Sequence, residues 1–383
     1  MTALPLAGIR VLDLSRHFPG PYVTGALVDL GATVTKIEER EVGDPVRFTT
    51  PPIPDGSDSA LHAWLNRGKK SVALDLKLKD AQAIVKTLAR KSDILVETFR
   101  PGVMRRLGLD YASLRRSSPH LLYVSLSGFG AKGPMSRRAM HDLNAVGQVG
   151  LLSGGASMSP GLLADTASGL LTLIAILAKL GGPGVRARKG GLIDLSILDG
   201  ALSLASAPLA RSLCAPGVEH DELWGTHACY RVYECADQRS LTVGALEPQF
   251  WSAICEAMGF PAHARAQWSK SRQSAMCADF EGAFKTKTQA EWMKILGPLD
   301  ACVMPVQTMA EVLKDTQIRA RHAWAPQASQ RGHFESPTFL PQVTGGRRRR
   351  RAPRHGEHTR SVLLALGYSK TRIERLLDTG VIR

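Results

Sequence analysis

Short apolar runs alternate with longer stretches of helical period through the first two hundred residues. Val11–Leu14 is an apolar run of strand length, followed by the turn Phe18-Pro19-Gly20-Pro21 and an amphipathic stretch to about Leu30 that predicts a helix. Gly31 stands where a helix C-cap is expected, and Val34–Ile37 reads as the next strand. Ser71–Leu76 alternates as a strand, Lys77–Arg90 has helical periodicity, and Asp93–Thr98 is a strand again. A helix opens after Pro101, Leu121–Leu126 is a strand ending at Gly128-Phe129-Gly130, and a long apolar helix from about Asp165 to Leu180 precedes the strand Leu192–Leu195. Strand–helix alternation of this kind predicts a parallel sheet covered by helices on both faces. None of the strands is followed by G-x-G-x-x-G, so the expected sheet is Rossmann-like without the dinucleotide fingerprint. Ligands of such sheets sit at the carboxyl ends of the strands, which here carry Arg16, Arg40, Lys77 and Arg100.

Beyond Ala215-Pro216-Gly217 the texture changes. Tyr230–Glu234 and Leu241–Val243 predict a hairpin around Asp237-Gln238, and helical segments follow at Pro248–Met258, Phe280–Lys285 and Gln289–Leu296. The expected organisation is therefore a large α/β domain over 1–215, a smaller α+β domain over 225–330 and a C-terminal segment, 331–383, with helices at Thr359–Leu366 and Lys370–Leu377.

Composition narrows the class. A chain of 383 residues that is 44% hydrophobic and 22% charged forms a folded core. The stretch Leu162 to Leu180 contains Asp165, Ser168 and Lys179, so a buried helix is expected and no membrane partner. MTALPLAGIR has neither the basic start nor the apolar core of a signal peptide, and the expected location is cytoplasmic. Of the net charge of +15, more than half lies in residues 331–383, around the run Arg347-Arg348-Arg349-Arg350-Arg351. No aromatic residue interrupts that run, so a solvated loop is expected rather than a nucleic-acid site. The six cysteines, at 214, 229, 235, 255, 277 and 302, show no metal-ligand spacing, and reduced core thiols with no bound metal are expected.

Three ionisable positions stand out as candidate chemistry. His141-Asp142 lies in a polar stretch after a strand, Asp165 begins the longest apolar helix, where unpaired N–H groups and the helix dipole favour an anion, and Glu247 precedes Pro248 at a helix entrance. Spacing alone does not join them into a site.

From Gly8 to the end, the chain resembles the family III CoA-transferases (the CaiB/BaiF family), and within them the α-methylacyl-CoA racemases. The segments that carry the likeness include GIRVLDLSR, GPYVTGALVDLGATVTKIE, RGKKSVALDLK, ETFRPGVMRRLGL, LLYVSLSGFGAKGP, MHDLN, LLAD, GGLIDLSILDG, VGALEPQF, DACVMPV and GEHT, in family order. The resemblance implies a Rossmann-like large domain built from both ends of the chain, a smaller inserted domain, and an interlocked homodimer. It also implies an acyl-CoA thioester as substrate and no separate cofactor, with Arg40, Leu74, Lys77, Thr98, Arg100 and Arg106 lining the CoA site. Guanidinium groups there suit the phosphates of CoA.

Two reactions share that scaffold. In the transferases the aspartate matching Asp165 attacks the thioester and carries CoA. In the racemases an aspartate and a histidine flank the α-carbon. The segment Met140-His141-Asp142-Leu143-Asn144-Ala145 resembles the racemase GHDxNY, although Met140 and Ala145 depart from it. Glu247 in EPQF matches a glutamate that partners the histidine, and the glycine-run loop of the transferases is missing between Asp221 and Trp251. The expectation is an epimerase of 2-methylacyl-CoA thioesters with His141, Asp165 and Glu247 as its catalytic set. A CoA-transferase with an Asp165-bound CoA is the alternative.

Overall fold

The computed structural model describes residues 4–153, 161–181, 190–215, 225–340, 343 and 349–383. The chain divides into two compact units, one comprising Met1–Ser206 and Arg319–Arg383, the other Ala207–Ile318.

The first unit is organised around six parallel strands. In chain order it contains β1 (Arg10–Leu14), α1 (Pro19–Asp29), β2 (Thr33–Glu39), α2 (Ala60–Leu65), β3 (Lys70–Leu74), α3 (Lys79–Arg90) and β4 (Ile94–Glu97). These are followed by α4 (Val103–Arg106), α5 (Tyr111–Leu114), β5 (Leu122–Ser127), α6 (Asp142–Gln148), α7 (Leu163–Gly181), β6 (Gly191–Ser196) and α8 (Ile197–Leu204). The strand order is β3-β2-β1-β4-β5-β6, with every neighbouring pair parallel. This is the doubly wound α/β arrangement that the alternation predicts. The order reverses between β1 and β4, where Val11 faces Ile94 and Leu14 faces Glu97, so a ligand crevice is expected above that pair.

Successive side chains point to opposite sides, so the inner strands are buried on both faces, while the edge strand β6 exposes Leu192. Leu12, Leu14, Val72 and Leu74 enter one core with Ile84, Val85 and Leu88 of α3. Val11, Val34, Ile94 and Val124 enter the other with Val23 and Leu27 of α1 and Leu173 and Ile176 of α7. The C-terminal helices Thr359–Ala365 and Lys370–Asp378 complete the first core with Leu363, Ile373 and Leu376, and Ile382 bridges to Leu74. Each such aliphatic side chain contributes about 1.5–3 kcal/mol on burial, so the two ends of the chain are bound into one sheet.

The return to this unit begins at Arg319, ahead of the expected 331, because a hairpin of β10 (Trp324–Ala328) and β11 (His333–Pro337) belongs to it. The Trp64 indole donates to Pro337 O and the Gln327 amide to Ala63 O. Pro326 and Pro337 inside these strands removed the strand signal from the sequence.

α7 is long and apolar enough to cross a membrane by length and composition. Here Thr172, Leu173 and Ile176 are buried, while Leu170 and Ile174 are exposed. Its first turn is approached very closely by α8. A Cβ placed on Gly200 would lie 2.5 Å from Ser168 N and 2.6 Å from Ala164 O. Ala145, Ala164 and Ala201 are fully buried at the same junction of α6, α7 and α8. Gly200→Ala is therefore expected to push α8 off the start of α7, costing about 1–3 kcal/mol as overpacking does. A chemical-denaturation curve shifted by less than about 0.5 kcal/mol would contradict this packing account.

The second unit carries the antiparallel sheet β7 (Tyr230–Glu234), β8 (Ser240–Gly244) and β9 (Val303–Pro305), with Gln238 supplying the left-handed turn residue between the first two. An aromatic core of Tyr233, Trp251, Phe280, Phe284 and Trp292 packs against it. All six cysteines are free. Cys229, Cys235, Cys255 and Cys277 are buried, whereas Cys214 and Cys302 are exposed, which corrects the expectation of six core thiols. Burial pushes the Cys255 thiol up to about 12.

Within the arginine run, Arg349 and Arg351 depart from the expected solvated loop, while Arg350 is exposed. Arg347 and Arg348 lie outside the described residues, but Arg349 is buried with its Nη2 3.0 Å from Asp29 Oδ2, and Arg351 pairs with Glu357. Asp29, at the end of α1, draws Arg349 inward.

Candidate active site

The ends of β1–β4 and the turns after them bring most of the expected CoA positions to one edge. Arg40 directly follows β2, Leu74 ends β3, and Thr98 follows β4. Lys77 lies three residues beyond β3, Arg100 three beyond β4, and Arg106 ends α4. Lys77, Arg100 and Arg106 are exposed. Thr98 Oγ1 accepts the Arg16 N–H at 2.9 Å, tying the β4 turn to the β1 turn across the point where the strand order reverses. Arg16 lies over the Phe99 ring, 4.9 Å from its centroid. Two of the six offer less than their types suggest. Leu74 is fully buried in the core, so only its backbone faces the edge, and Arg40 Nε donates to Ile382 O at 3.1 Å while its guanidinium pairs with Glu41.

Beneath this edge lies a buried ionic network. Lys69 donates to Asp13 Oδ2 at 3.1 Å and to Thr24 and Asn66, and Lys36 bonds Ser15 O and pairs with Asp44 at 2.8 Å. Burial opposes the charge on Asp13, but the two lysines and the Ser15 and Thr24 hydroxyls outweigh it and hold its carboxyl well below the usual range. The network fixes the turn after β1 and leaves no unpaired charge there.

His141 and Asp165 are joined through Asp142. His141 precedes the first residue of α6, and its N–H is capped by the Asn144 side chain at 3.0 Å, leaving the exposed imidazole outside the helix. Asp142 is buried and its Oδ1 accepts the Asp165 N–H at 2.9 Å. Asp165 occupies the first turn of α7, 9% exposed, and its Oδ1 has no hydrogen-bond partner. Burial, and then the neighbouring Asp142 carboxylate, push the Asp165 carboxyl up to about 7. A group so placed exchanges a proton near neutral pH. Asp142→Asn keeps an acceptor for the Asp165 N–H and removes the charge. The acid limb of the pH–activity profile is expected to move to lower pH in that variant, and an unmoved limb would contradict the coupling.

The N–H groups of Leu163 and Ala164, in the same turn, have no partner among the described residues, whereas that of Asp165 is taken by Asp142. Two donors at the positive end of a 19-residue helix can receive a developing oxyanion. Glu247 stands at the N-cap position of the helix Pro248–Ala257 in the second unit, without a side-chain cap hydrogen bond, and is exposed.

Two residues, His17 and Glu97, escape the sequence reading, and a third, Asp142, is named there only beside His141. Its carboxylate, bonded to the Asp165 N–H, has no role assigned by the sequence. His17, at φ 64°, turns the chain after β1; burial lowers its pKa, against the pull of Asp44, and His141 is among the charges that lower it further. Glu97 is buried at the end of β4, where it accepts the Phe99 N–H at 2.8 Å and burial pushes its carboxyl up to about 7. An acid closing the apolar run Ile94–Glu97 was the available signal. Among the described residues no cluster of three or more His, Cys, Asp or Glu is placed to hold a metal ion.

A doubly wound sheet with cations along the carboxyl edge, and an acid and a histidine at adjoining helix starts, defines an α/β enzyme-like scaffold for an anionic ligand. The chain belongs to CoA-transferase family III, whose family model matches residues 6–359. It is 33% identical to human alpha-methylacyl-CoA racemase, over 99% of this chain and 98% of that protein. It is 30% identical to mouse succinyl-CoA:glutarate CoA-transferase, over 99% of this chain and 90% of that one. A crystal structure of a CAIB/BAIF family protein from Brucella suis superposes with a TM-score of 0.79 at 25% identity, covering 95% of this chain and all of that one.

Proposed function

We propose that this member of the family is a racemase of 2-methylacyl-CoA thioesters, exchanging the α-proton between His141 and Asp165 through an enolate. The observation that carries the reading is the hydrogen bond from Asp165 N–H to Asp142, the residue after His141. It holds a buried acid of near-neutral pKa beside the backbone of an exposed imidazole. An α-thioester proton has a pKa of roughly 20 against about 6.5 for imidazole, a gap on the order of 18 kcal/mol. A base alone cannot close that gap, and the Leu163 and Ala164 N–H groups are the donors assigned to the enolate oxygen. On one face His141 takes or returns the proton, and on the other Asp165. Arg100, Arg106, Lys77, Arg40, Thr98 and the Leu74 backbone hold the CoA moiety, and no cofactor takes part beyond the CoA of the substrate.

The second reading, transfer of CoA between carboxylic acids through an Asp165 acyl anhydride and aspartyl-CoA thioester, is favoured by the unpartnered Oδ1 of Asp165 and by the transferase relatives. Incubation in deuterated water with one acyl-CoA and no acceptor acid separates the two. Deuterium at the α-carbon supports the racemase, and a trapped Asp165–CoA adduct without exchange supports the transferase.

The same reading includes a homodimer of interlocked chains. The exposed Leu170 and Ile174, one turn apart on α7, are apolar surface that a second chain would cover. Light scattering is expected to give twice the chain mass of 41.4 kDa. Ile174→Lys is expected to raise the dissociation constant by at least tenfold, and an unchanged constant would remove α7 from the interface.

A further inference from the structure

A second cationic site lies at the opposite end of the strands from the edge that carries Thr98 and Arg100. A cavity of about 580 Å³ opens where β2 and β3 begin, bordered by Thr33, Lys70, the end of α1 and the segment 349–351. From Thr33 to Glu39 β2 climbs about 20 Å, at about 3.3 Å per residue, so the two regions are separate.

Its wall holds an unbalanced charge. Arg67 forks onto Asp29, with Nε to Oδ1 at 3.0 Å and Nη2 to Oδ2 at 2.6 Å. Arg349 Nη2 pairs ionically with the same Oδ2 at 3.0 Å but makes no hydrogen bond, while the Arg349 Nη1 donates to Pro337 O. One carboxylate thus serves two buried guanidiniums. Burial, and then repulsion from Arg67, pull the Arg349 guanidinium down to about 10. The carboxyl end of α1 adds only about half a negative charge. Arg351 is neutralised by Glu357, and the Lys69 ammonium is committed to Asp13, while the exposed Lys70 and Arg350 form no ion pair among the described residues. Three cations therefore converge on one cavity without a full complement of anions.

We propose that this cavity binds a small phosphate-bearing anion of at least two negative charges, with Arg349, Arg350 and Lys70 as its ligands. Guanidinium forks match the oxygens of phosphate, and the volume falls within the range of small-molecule sites. Leu4, Val28 and Ala32 leave an apolar side on which an organic portion of the ligand rests. The proposal stands independently of the reaction assigned above.

Titration calorimetry of the full chain with inorganic pyrophosphate at low salt tests it. One saturable site per chain is expected, with affinity falling as salt rises. The double substitution Lys70→Ser/Arg350→Ser, confined to exposed side chains, is expected to weaken binding at least tenfold while the ligand-free melting temperature and CoA affinity stay unchanged. Adenosine diphosphate in a parallel titration separates the sources: tighter binding than pyrophosphate assigns the apolar side to a nucleoside, equal binding assigns the site to the phosphates alone, and both support it. The proposal is overturned if pyrophosphate does not bind saturably, if the double variant binds it as the parent does, if CoA displaces it, or if duplex DNA binds this face in preference.

Discussion

Replacing His141 by alanine is expected to lower α-deuterium exchange into a 2-methylacyl-CoA by about 10²–10⁴-fold, the usual contribution of a positioned acid–base group. The fold should tolerate the change. The His141 imidazole is exposed, and its contribution to the start of α6 runs through the backbone N–H to Asn144, which alanine retains. Affinity for the acyl-CoA is expected to stay within about threefold, because the CoA contacts assigned here lie on other elements. Stopped exchange with retained binding is the signature of a proton-transfer residue. A transferase working through Asp165 alone would keep its activity in this variant, and exchange within about twofold of the parent would remove His141 from the mechanism.

The second large effect belongs to Asp165→Asn and has two parts of opposite sign. Exchange is expected to fall by at least about 10³-fold, since the amide neither takes nor returns the proton. Stability is expected to rise. The Asp165 carboxyl is raised from 3.8 to about 7 in the folded chain, chiefly by burial. Below pH 4 the acid is protonated in both folded and unfolded states and has no effect. Between pH 4 and 7 the unfolded chain releases a proton that the folded chain keeps, so stability falls as pH rises, and above 7 the loss is complete. Removing the charge should therefore return on the order of 2–4 kcal/mol at pH 8 and almost nothing at pH 4. A variant no more stable than its parent at pH 8 would show that the carboxylate is well solvated or paired, contrary to the unpartnered Oδ1. The same comparison separates an acid held for catalysis from one that merely caps a helix, because removing a stabilising cap would lower stability.

The sheet was legible because its strands are short segments rich in Val, Ile and Leu set between stretches of helical period. Val11–Leu14, Val34–Ile37 and Leu192–Leu195 all fall inside strands of the first unit, even though each holds a charged residue, Asp13, Lys36 or Asp194. Strand order was not written in the same pattern, since it depends on which long-range pairings the helices permit. α6 was invisible for a different reason. Asn144 and Gly147 are poor helix formers, and the segment is held by a side-chain cap and by the burial of Ala145 and Val146 against neighbouring helices. The arginine run misled because charge patterning says nothing of what lies opposite, and Asp29 is more than three hundred residues away in the chain. Of the site, the acid at the start of an apolar helix could be read from sequence, but its link to His141 through Asp142 needed the fold. Glu247 remains a residue of the second unit whose role is carried by the family resemblance.

The central claim is removal and return of the α-proton within one active site. Purified protein in deuterated water, supplied with a single (2R)- or (2S)-2-methylacyl-CoA and no carboxylic acid acceptor, is to be followed by mass and by chiral separation of the released acyl groups. The account predicts one deuterium at the α-carbon and convergence of both epimers to a ratio near one. A thioester recovered undeuterated and with its configuration intact, together with CoA covalently held on Asp165, would contradict it.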